Sequence, residues 1–406
     1  MSPLSINQPV PSDTDVTVIG GAGHVGLPLA LSFIKEGQKV VIHDINRDAL
    51  QTIADGKLPY MEYQAQPLLK EALESGRLFL NDEILNIPPA GGIIIAVGTP
   101  VDEFLNPVQK AIKSCLDGLI PYLSPEHLVI LRSTVYPGTT DWVDRYLKSK
   151  GVNADVAYCP ERVTQGHSII ELREVPHIVS GTSDKAIKRA EMLFSLLSPD
   201  IVRMEPMEAE FAKLFTNAYR YIHFAISNEF FMIADEAGLN FNKILDGMTK
   251  NYPRAKYIPS PGFTSGPCLF KDTAQLAAFA KNKFNLGNAA INVNEGIVLN
   301  IVEKMRKKYD LQNLTVGILG MAFKADVDDI RSSLSYKFKN LLDLYAAKVL
   351  STDPYVQTDP DILPLNEVLN KSDVLVLCTP HSQYRNLDTV GKIVIDIWGF
   401  LNSPKT

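Results

Sequence analysis

The chain has 406 residues, more than one compact core usually holds, so two or three domains are expected. Its hydrophobic content of 46% and charged content of 21% are those of a globular protein and exclude a disordered chain. The formal net charge is -6 and no block of like charge makes a polyanion-binding stripe, so nucleic acid is not expected as a partner.

The start of the chain is not expected to act as a targeting signal. Residues 1–15 lack the charged and apolar regions of a signal peptide, and no apolar run approaches the length of a membrane span. We therefore expect no membrane contact and a cytoplasmic location. In that reducing compartment the four cysteines, which form no CxxC or Cys/His cluster, are expected to remain thiols and to bind no metal.

The first predicted element is a strand at 15–19, followed by a tight turn and a helix. The turn carries three glycines at G-x-G-x-x-G spacing: Gly21, Gly23 and Gly26. Glycine there lets a pyrophosphate approach the helix N–H groups. A second strand at 39–43 ends in Asp44, whose carboxylate would accept hydrogen bonds from the ribose hydroxyls and repel a 2′-phosphate. The pattern predicts an NAD site; the alternative is an ordinary turn, and Arg47 slightly weakens the exclusion of NADP.

Further strands at 91–100 and 128–134 alternate with a helical stretch, which predicts a parallel, doubly wound sheet. From 205 to 237 the pattern is helical, with apolar residues around most of the circumference. A long, largely buried helix of about 50 Å is expected, suited to joining domains or pairing subunits. After a loop rich in Pro and Gly at 252–267, helices resume at about 272 and run to 308.

The last hundred residues repeat the pattern of short apolar runs that predicts strands in the first domain. Apolar runs lie at 314–320, 347–354, 373–380 and 392–399. A second Rossmann-like sheet is expected, joined to the first by the long central helix. Its first turn offers only Gly317 and Gly320, so it need not bind a dinucleotide.

Cys268 is the cysteine whose surroundings suit chemistry. It lies in the loop SPGFTSGPCLFKD at 260–272, just ahead of Lys271 and a predicted helix start. A cation or a helix N-terminus would favour the thiolate that a nucleophile needs. A plain loop thiol is an equal alternative on these residues alone. The other three are expected to fill core positions: Cys115, Cys159 and Cys378.

Lys213 and Asn217 are four residues apart on the long helix, so they emerge on one face among apolar neighbours. The Lys could stabilise an alkoxide and the Asn could hold a water or a substrate hydroxyl. A Lys that reaches solvent and an Asn in a helix contact are the alternative, which the residues alone favour.

Seven segments resemble, in order and spacing, the UDP-glucose/GDP-mannose dehydrogenase family: GAGHVGLPLA with Asp44, VGTP at 97–100, RSTVYPGTT at 132–140, CPER at 159–162, EAEFAKLFTNAYR at 208–220, GFTSGPCLFKD at 262–272 and LGMAFKADVDDIRSS at 319–333. The resemblance implies an NAD-binding Rossmann domain at 1–204, a central helical dimerisation domain at 205–310 and a UDP-sugar-binding Rossmann-like domain at 311–406. It also implies a homodimer or higher homo-oligomer.

The implied reaction is a four-electron oxidation of the C6 alcohol of a UDP-sugar, giving two NADH. Cys268 captures the aldehyde, the thiohemiacetal loses a hydride to give a thioester, and water hydrolyses the thioester. Catalytic roles are implied for Cys268, Lys213, Asn217, Asp272, Glu161 and Thr134, the last two in water and proton transfers. Cofactor contacts are expected at Gly21, Gly23, His24, Val25, Gly26, Asp44, Arg47, Thr99, Thr134 and Arg331. Substrate contacts are expected at Glu161, Arg162, Lys213, Asn217, Arg254, Tyr257, Phe263, Gly266 and Lys324.

Departures from the family's glucose-specific pattern concern the sugar. Members acting on UDP-glucose tend to have a Glu four residues after the position of Glu161, where this chain has Gln165. P-E-R at 160–162 and Y-P-R at 252–254 resemble the branch that oxidises UDP-N-acetylhexosamines, whose acetamido group needs room and a hydrogen-bond partner. UDP-N-acetylglucosamine or UDP-N-acetylmannosamine is expected, with UDP-glucose or GDP-mannose as the alternative.

Two other functions stay open. A nucleotide-binding module without catalysis is disfavoured by the joint presence of Cys268, Lys213, Asn217 and Asp272. A reductase of the β-hydroxyacid or 6-phosphogluconate type shares an NAD domain, a long helix and a Lys–Asn pair, but it stops after one two-electron step. Such a reductase needs neither a thiol nor residues 311–406, and it exchanges one NADH per substrate instead of two.

Overall fold

The computed structural model describes residues 4–84, 87–88, 92–103 and 107–401. The chain divides into two compact units, Met1–Phe215 and Thr216–Thr406. The three-part division at 204 and 310 stays a prediction. Gly91, at the start of one predicted strand, and residues 1–3 and 402–406, at the ends of the predicted terminal domains, lie outside the described residues.

The first unit is built on an eight-stranded sheet. Its strands are β1 Val16–Ile19, β2 Val40–His43, β3 Leu78–Asn81, β4 Gly92–Ile95, β5 Leu128–Leu131, β6 Asp155–Tyr158, β7 His177–Gly181 and β8 Ile201–Arg203. The spatial order is β3-β2-β1-β4-β5-β6-β7-β8. The first six strands are parallel and follow the 3-2-1-4-5-6 order of the dinucleotide-binding fold, which confirms the predicted doubly wound sheet. β7 pairs antiparallel with β6, which the sequence pattern did not anticipate.

Helices cover both faces of this sheet, so its central strands are buried at every position and largely apolar. The helices are α1 Gly26–Lys35, α2 Arg47–Ala54, α3 Ala65–Ser75, α4 Lys110–Leu119, α5 Thr139–Ser149, α6 Ser168–Glu174 and α7 Asp184–Phe194, with a 3-10 turn at Ile120–Tyr122. Side-chain caps fix two of the starts. Asn46 accepts the Ala49 N–H at 3.1 Å, and Ser183 accepts the Ala186 N–H at 3.1 Å.

The long helix α8 runs over Pro206–Glu236 and contains the boundary between the two units. Its extent confirms the predicted helix at 205–237. The expectation that it is largely buried is wrong within this chain. Four apolar side chains that share one stripe are between 39% and 62% exposed: Tyr219, Ile226, Phe230 and Ile233. The apolar surface of α8 is therefore larger than the part of it that the rest of this chain buries.

The second unit has a four-stranded parallel sheet, which confirms the second Rossmann-like sheet. Its strands are β9 Thr315–Leu319, β10 Lys348–Thr352, β11 Val374–Leu377 and β12 Ile393–Asp396, in the order β10-β9-β11-β12. Its helices are α9 Phe241–Thr249, α10 Leu269–Phe279, α11 Asn285–Lys308, α12 Leu334–Leu342 and α13 Leu365–Lys371, with 3-10 turns at Leu311–Asn313 and Ser382–Tyr384.

The helical stretch predicted at 272–308 is two helices. α10 starts three residues earlier than expected, and the chain breaks before α11 at Lys281 and Asn282, which both have positive φ. No helix in the described part of the chain is long and apolar enough to cross a membrane.

Candidate active site

The glycine-rich turn joins β1 to α1 and is packed too closely for side chains at two of its glycines. A Cβ on Gly26 would lie 2.5 Å from the Gly20 carbonyl oxygen, and one on Gly21 would lie 2.8 Å from the Val18 carbonyl oxygen. Gly23 is exposed, and a Cβ there would meet nothing closer than 3.4 Å. The turn therefore presents open backbone and a helix start, an arrangement that fits a dinucleotide pyrophosphate.

Asp44 follows β2 and is bonded to this turn. Its Oδ2 accepts the Ala22 N–H at 3.0 Å, and its Oδ1 accepts the Asn46 N–H at 2.9 Å. The partly exposed carboxylate thus lies where dinucleotide folds bind the ribose diol. The next residue, Ile45, is 89% exposed.

Other predicted cofactor residues lie near the same turn or at the ends of the next strands. His24 and Val25 complete the turn before α1. The Thr99 hydroxyl donates to the Thr134 carbonyl oxygen at 2.5 Å, so the chain after β4 and the chain after β5 are joined at these two residues. Arg47 starts α2, and its Nη1 is 3.6 Å from the Asp82 carboxylate at an exposed position, where an ion pair contributes little.

Glu161 follows β6 and is buried in an ion pair with Arg132, which follows β5. Its Oε2 accepts Arg132 Nε at 3.0 Å and Nη2 at 2.6 Å. Its Oε1 accepts the N–H groups of Arg162 at 2.7 Å and Val163 at 3.0 Å. Burial acts to raise the pKa of Glu161, but the Arg132 charge and these hydrogen bonds outweigh it and lower the pKa. Glu161 is therefore an anion whose two oxygens already have partners.

Arg132 was not predicted as part of the site. Its guanidinium also donates from Nη1 to the carbonyl oxygens of Cys159 at 2.9 Å and Pro160 at 3.2 Å, and it lies over the ring of Phe194. The guanidinium thereby orients the backbone that carries Glu161. The Arg before the Ser-Thr motif was the available signal, but nothing local to it indicates a partner 29 residues away.

Lys213 is partly buried on α8, and Asn217 follows one helical turn later. In the second unit Asn217 is buried and its Nδ2 donates to Asp272 Oδ2 at 2.5 Å. The structure thus brings together two of the predicted catalytic residues, which are 55 positions apart in the sequence.

Asp272 lies in the first turn of α10 and is fully buried. Its Oδ1 is 2.8 Å from Lys271 Nζ but accepts no hydrogen bond from any residue that the structure describes. The short distance is thus an ion-pair contact without hydrogen-bond direction. A buried carboxylate oxygen in this state suits a bound water or a substrate hydroxyl.

Cys268 is exposed at the N-cap position of α10, with no disulfide. The positive end of the helix dipole faces a group in this position and favours a thiolate. The other three cysteines are buried or partly buried thiols. Burial raises the pKa of Cys115 and Cys159 to about 12 and that of Cys378 well above its usual range, which disfavours their thiolates. Cys159 and Cys378 fill core positions as expected, whereas Cys115 is only partly buried.

The predicted substrate contacts differ in their surroundings. Phe263 is buried and packs edge-on to Phe338, with ring centroids 5.3 Å apart. Gly266 has a φ of +105°, and a Cβ there would lie 2.4 Å from the Phe323 ring. Tyr257 is exposed.

Three basic residues complete the predicted set in the second unit. Arg254 donates from Nε to the Tyr252 hydroxyl at 2.9 Å and lies over that ring. Lys324 is partly buried. Arg331 donates from Nη2 to Asp329 Oδ2 at 2.6 Å, so its charge is partly neutralised. Among the described residues no group of three or more His, Cys, Asp or Glu side chains could hold a metal ion.

A glycine-rich turn with its ribose-facing Asp, a second Rossmann-like sheet and a thiol at a helix start define a dinucleotide-dependent dehydrogenase. Residues 14–198, 207–296 and 317–403 match the NAD binding domain, the central domain and the UDP binding domain of the UDP-glucose/GDP-mannose dehydrogenase family. The chain belongs to this family and is an NAD-dependent nucleotide-sugar dehydrogenase.

Named relatives match over almost the full chain. A UDP-N-acetyl-D-mannosamine dehydrogenase of Pyrococcus horikoshii is 31% identical over 408 residues, 95% of each chain. An NDP-N-acetyl-D-galactosaminuronic acid dehydrogenase of Ralstonia nicotianae is 29% identical over 95% of this chain and 96% of the relative. The solved structure of UDP-D-ManNAc dehydrogenase from Pyrococcus horikoshii has a TM-score of 0.89 at 29% identity, covering 96% of this chain and 97% of that one.

Proposed function

We propose that this enzyme oxidises C6 of UDP-N-acetylmannosamine to the uronic acid in two successive two-electron steps. Two relatives similar over 95% of the chain are named for acetamido sugars. Gln165 stands where glucose-specific members tend to have a carboxylate, which removes a charge near the sugar. UDP-N-acetylglucosamine is the second candidate because it carries the same acetamido group.

The observation that carries the proposal is the start of α10, where exposed Cys268 lies one turn before the buried Asn217–Asp272 pair. NAD supplies the hydride acceptor in each step. In the first step C6 loses a hydride and its hydroxyl loses a proton, and Lys213 stabilises the developing alkoxide. The thiolate of Cys268 then adds to the aldehyde carbon, and the oxygen takes up a proton to give a thiohemiacetal.

The second half of the reaction ends on the same thiol. The thiohemiacetal loses its C6 hydride and its hydroxyl proton, which gives a thioester. Water attacks the thioester carbon, the C–S bond breaks, and Cys268 leaves as a thiolate while the product leaves as a carboxylate. We assign the positioning of this water to Asp272, whose buried Oδ1 has Lys271 Nζ at 2.8 Å but accepts no directed hydrogen bond from the described residues.

Glu161 and Thr134 have roles in water and proton transfers by resemblance only. Both Glu161 oxygens already accept two hydrogen bonds each, so proton transfer to Glu161 requires release of a partner. We propose that Glu161 acts first as a fixed anion that holds the backbone at 161–163, next to the substrate residue Arg162. The Thr134 carbonyl is held by Thr99 at the same sheet edge.

We further propose that the enzyme is a homodimer that covers the exposed stripe on α8. The stripe consists of Tyr219, Ile226, Phe230 and Ile233. Contiguous exposed apolar side chains on one helix face are typical of an interface between subunits.

The experiment that tests the catalytic proposal is a count of NADH formed per mole of UDP-N-acetylmannosamine, UDP-N-acetylglucosamine and UDP-glucose. We expect two NADH with the first sugar and a severe loss of the second step in Cys268→Ser. Cys115→Ser, at a partly buried thiol on α4, is the matched control and should retain two NADH. One NADH per sugar would establish a single-step dehydrogenase instead, and full activity with two NADH in Cys268→Ser would rule out the thioester.

A further inference from the structure

The loop between α2 and α3, residues 55–64, lies between the glycine-rich turn and the segment at 159–168. This α2–α3 loop contributes no residue to the site proposed above. All three segments belong to the first unit, and the loop is hydrogen bonded to both of the others.

The first link joins the loop to the glycine-rich turn. The Tyr60 hydroxyl donates to the Gly23 carbonyl oxygen at 2.8 Å. The Tyr60 ring also packs on the His24 ring, with centroids 3.8 Å apart and an interplanar angle of 43°. Gly23 and His24 are the residues at which the pyrophosphate is expected to approach the backbone, so movement of this peptide acts directly on Tyr60.

The second link joins the loop to the 159–168 segment through a buried carboxylate. Glu62 accepts the Gly166 N–H at 3.0 Å, the Ser168 N–H at 2.6 Å and the Ser168 hydroxyl at 3.1 Å. In return the Tyr63 N–H donates to the Gly166 carbonyl oxygen at 3.0 Å. The segment at 159–168 carries Glu161 and Arg162, and the loop therefore fixes its C-terminal end.

A third link is direct. Gln165 Nε2 lies 3.2 Å from His24 Nδ1, so the amide donates when His24 carries its proton on Nε2. Tyr60 and Gln165 thus contact the same imidazole. The turn, the loop and the segment are thus linked in pairs by hydrogen bonds and ring contacts, so that each of them contacts both of the others.

We propose that Tyr60, Glu62 and Gln165 are positioning residues that couple NAD binding at the glycine-rich turn to ordering of the 159–168 segment. This inference rests on the proposed function for the identity of the two sites. The coupling needs no movement of the sheet, because every link is a direct contact between neighbouring loops. NAD then prepares the segment that carries Glu161 and Arg162 before the sugar is bound, and the sugar favours NAD binding by the same factor.

Amide hydrogen exchange of the full chain, with and without saturating NADH and with no sugar, tests the coupling. In the wild type we expect NADH to slow exchange at 20–27 and also at 159–168. Glu62→Gln should keep the slowing at 20–27 but reduce that at 159–168 by roughly two- to tenfold, the range set by loss of one hydrogen bond. Tyr60→Phe keeps the ring and removes the hydroxyl. This variant and Gln165→Leu should also reduce the NADH-induced slowing of exchange at 159–168.

Two matched variants control for loss of structure. Glu210 is a second buried carboxylate with the same kinds of partners: the N–H groups of Gly138 and Thr140 and the Thr140 hydroxyl. Glu210→Gln should therefore perturb local hydrogen bonds as Glu62→Gln does, but keep the NADH effect at 159–168. Tyr146→Phe, which removes a surface hydroxyl bonded to Asp117, should keep it as well.

The coupling is overturned if NADH leaves 159–168 unchanged in the wild type, or slows it equally in the wild type, Glu62→Gln and Tyr60→Phe. Failure of the proposed NAD site has a different signature, the absence of slowing at 20–27 in the wild type. Failure of the proposed substrate shows only in the count of NADH per sugar, which this measurement does not use.

Discussion

Two buried carboxylates of the first unit show how the partner decides the charge state of a residue. Glu161 meets the guanidinium of Arg132, whose charge helps to lower the pKa against the effect of burial. Glu210 meets neutral donors on Gly138 and Thr140, and burial raises its pKa although these hydrogen bonds oppose the shift. The two residues should therefore respond to pH with opposite signs.

Glu161→Gln is expected to cost about 3–5 kcal/mol at pH 7, because it leaves the buried Arg132 charge without its counter-ion. The folded pKa of Glu161 is below the ordinary value of 4.5. Its contribution to stability is therefore present above pH 4.5 and lost as the pH falls through the folded pKa. Urea unfolding of the wild type and the variant from about pH 3 to about pH 7 measures the difference in their free energies of unfolding.

Glu210→Gln provides the control of opposite sign. The folded pKa of Glu210 is above 4.5, so its favourable contribution is present below pH 4.5 and is lost as the pH rises through the folded pKa. If the stability difference between wild type and Glu161→Gln were independent of pH, the ion pair would not be the source of the Glu161 contribution.

At the scale of elements, periodicity predicted which segments form strands and helices. Apolar runs predicted β1, β2 and all four strands of the second sheet within a few residues, because a buried strand needs apolar side chains on both faces. The helix Pro206–Glu236 was predicted for a similar reason. The local rules that govern these elements act over spacings of two to four residues, which a single sequence displays.

What periodicity could not give are contacts between distant segments. Glu62 binds Ser168 across 106 positions and Glu210 binds Thr140 across 70, and neither pair has a local signature. The Cys268 loop and Asp272 were found by composition and resemblance, but the bond from Asn217 to Asp272 required the fold. Exposure of α8 was mispredicted because an apolar helix looks the same in sequence whether its own chain or another covers it.

The homodimer proposed above predicts the effect of a charge placed in the exposed stripe on α8. Ile233→Asp should weaken self-association by at least tenfold, because a charge is buried without a partner when the stripe is covered. Sedimentation velocity over a concentration series measures the change. Val390→Asp, at a residue that is 87% exposed outside the stripe, is the control and should leave association unchanged. Equal association of both variants with the wild type would place any interface elsewhere.

On the scale of the whole molecule, the two Rossmann-like units carry an aspartate at the same topological position and use it differently. Asp44 follows β2 and is partly exposed, and each of its oxygens accepts one hydrogen bond, from Ala22 in the glycine-rich turn and from Asn46. Asp353 follows β10 and is buried. Its Oδ2 accepts hydrogen bonds from the equivalent turn and from a histidine: Met321 N–H at 2.7 Å, Ala322 N–H at 2.9 Å and His381 Nε2 at 2.9 Å.

This difference explains why the second sheet need not bind a dinucleotide. The Oδ1 of Asp353 is also occupied, by the N–H groups of Tyr355 at 2.9 Å and Val356 at 3.2 Å. A carboxylate with this many donors has no place for a ribose diol. In the second unit the aspartate at this position, Asp353, has a structural role. NAD is therefore expected to bind the first unit alone.

Exchange of each aspartate for asparagine should separate the two roles. Asp353→Asn places an NH2 group against buried donors and is expected to cost about 2–5 kcal/mol, with NADH affinity unchanged while the chain is folded. Asp44→Asn should change stability by less than about 1 kcal/mol, because the side chain is partly exposed, and should weaken NADH binding. Urea unfolding and NADH fluorescence titration measure the two effects. A loss of NADH affinity in Asp353→Asn as large as in Asp44→Asn, without loss of stability, would show that the second turn binds the cofactor after all.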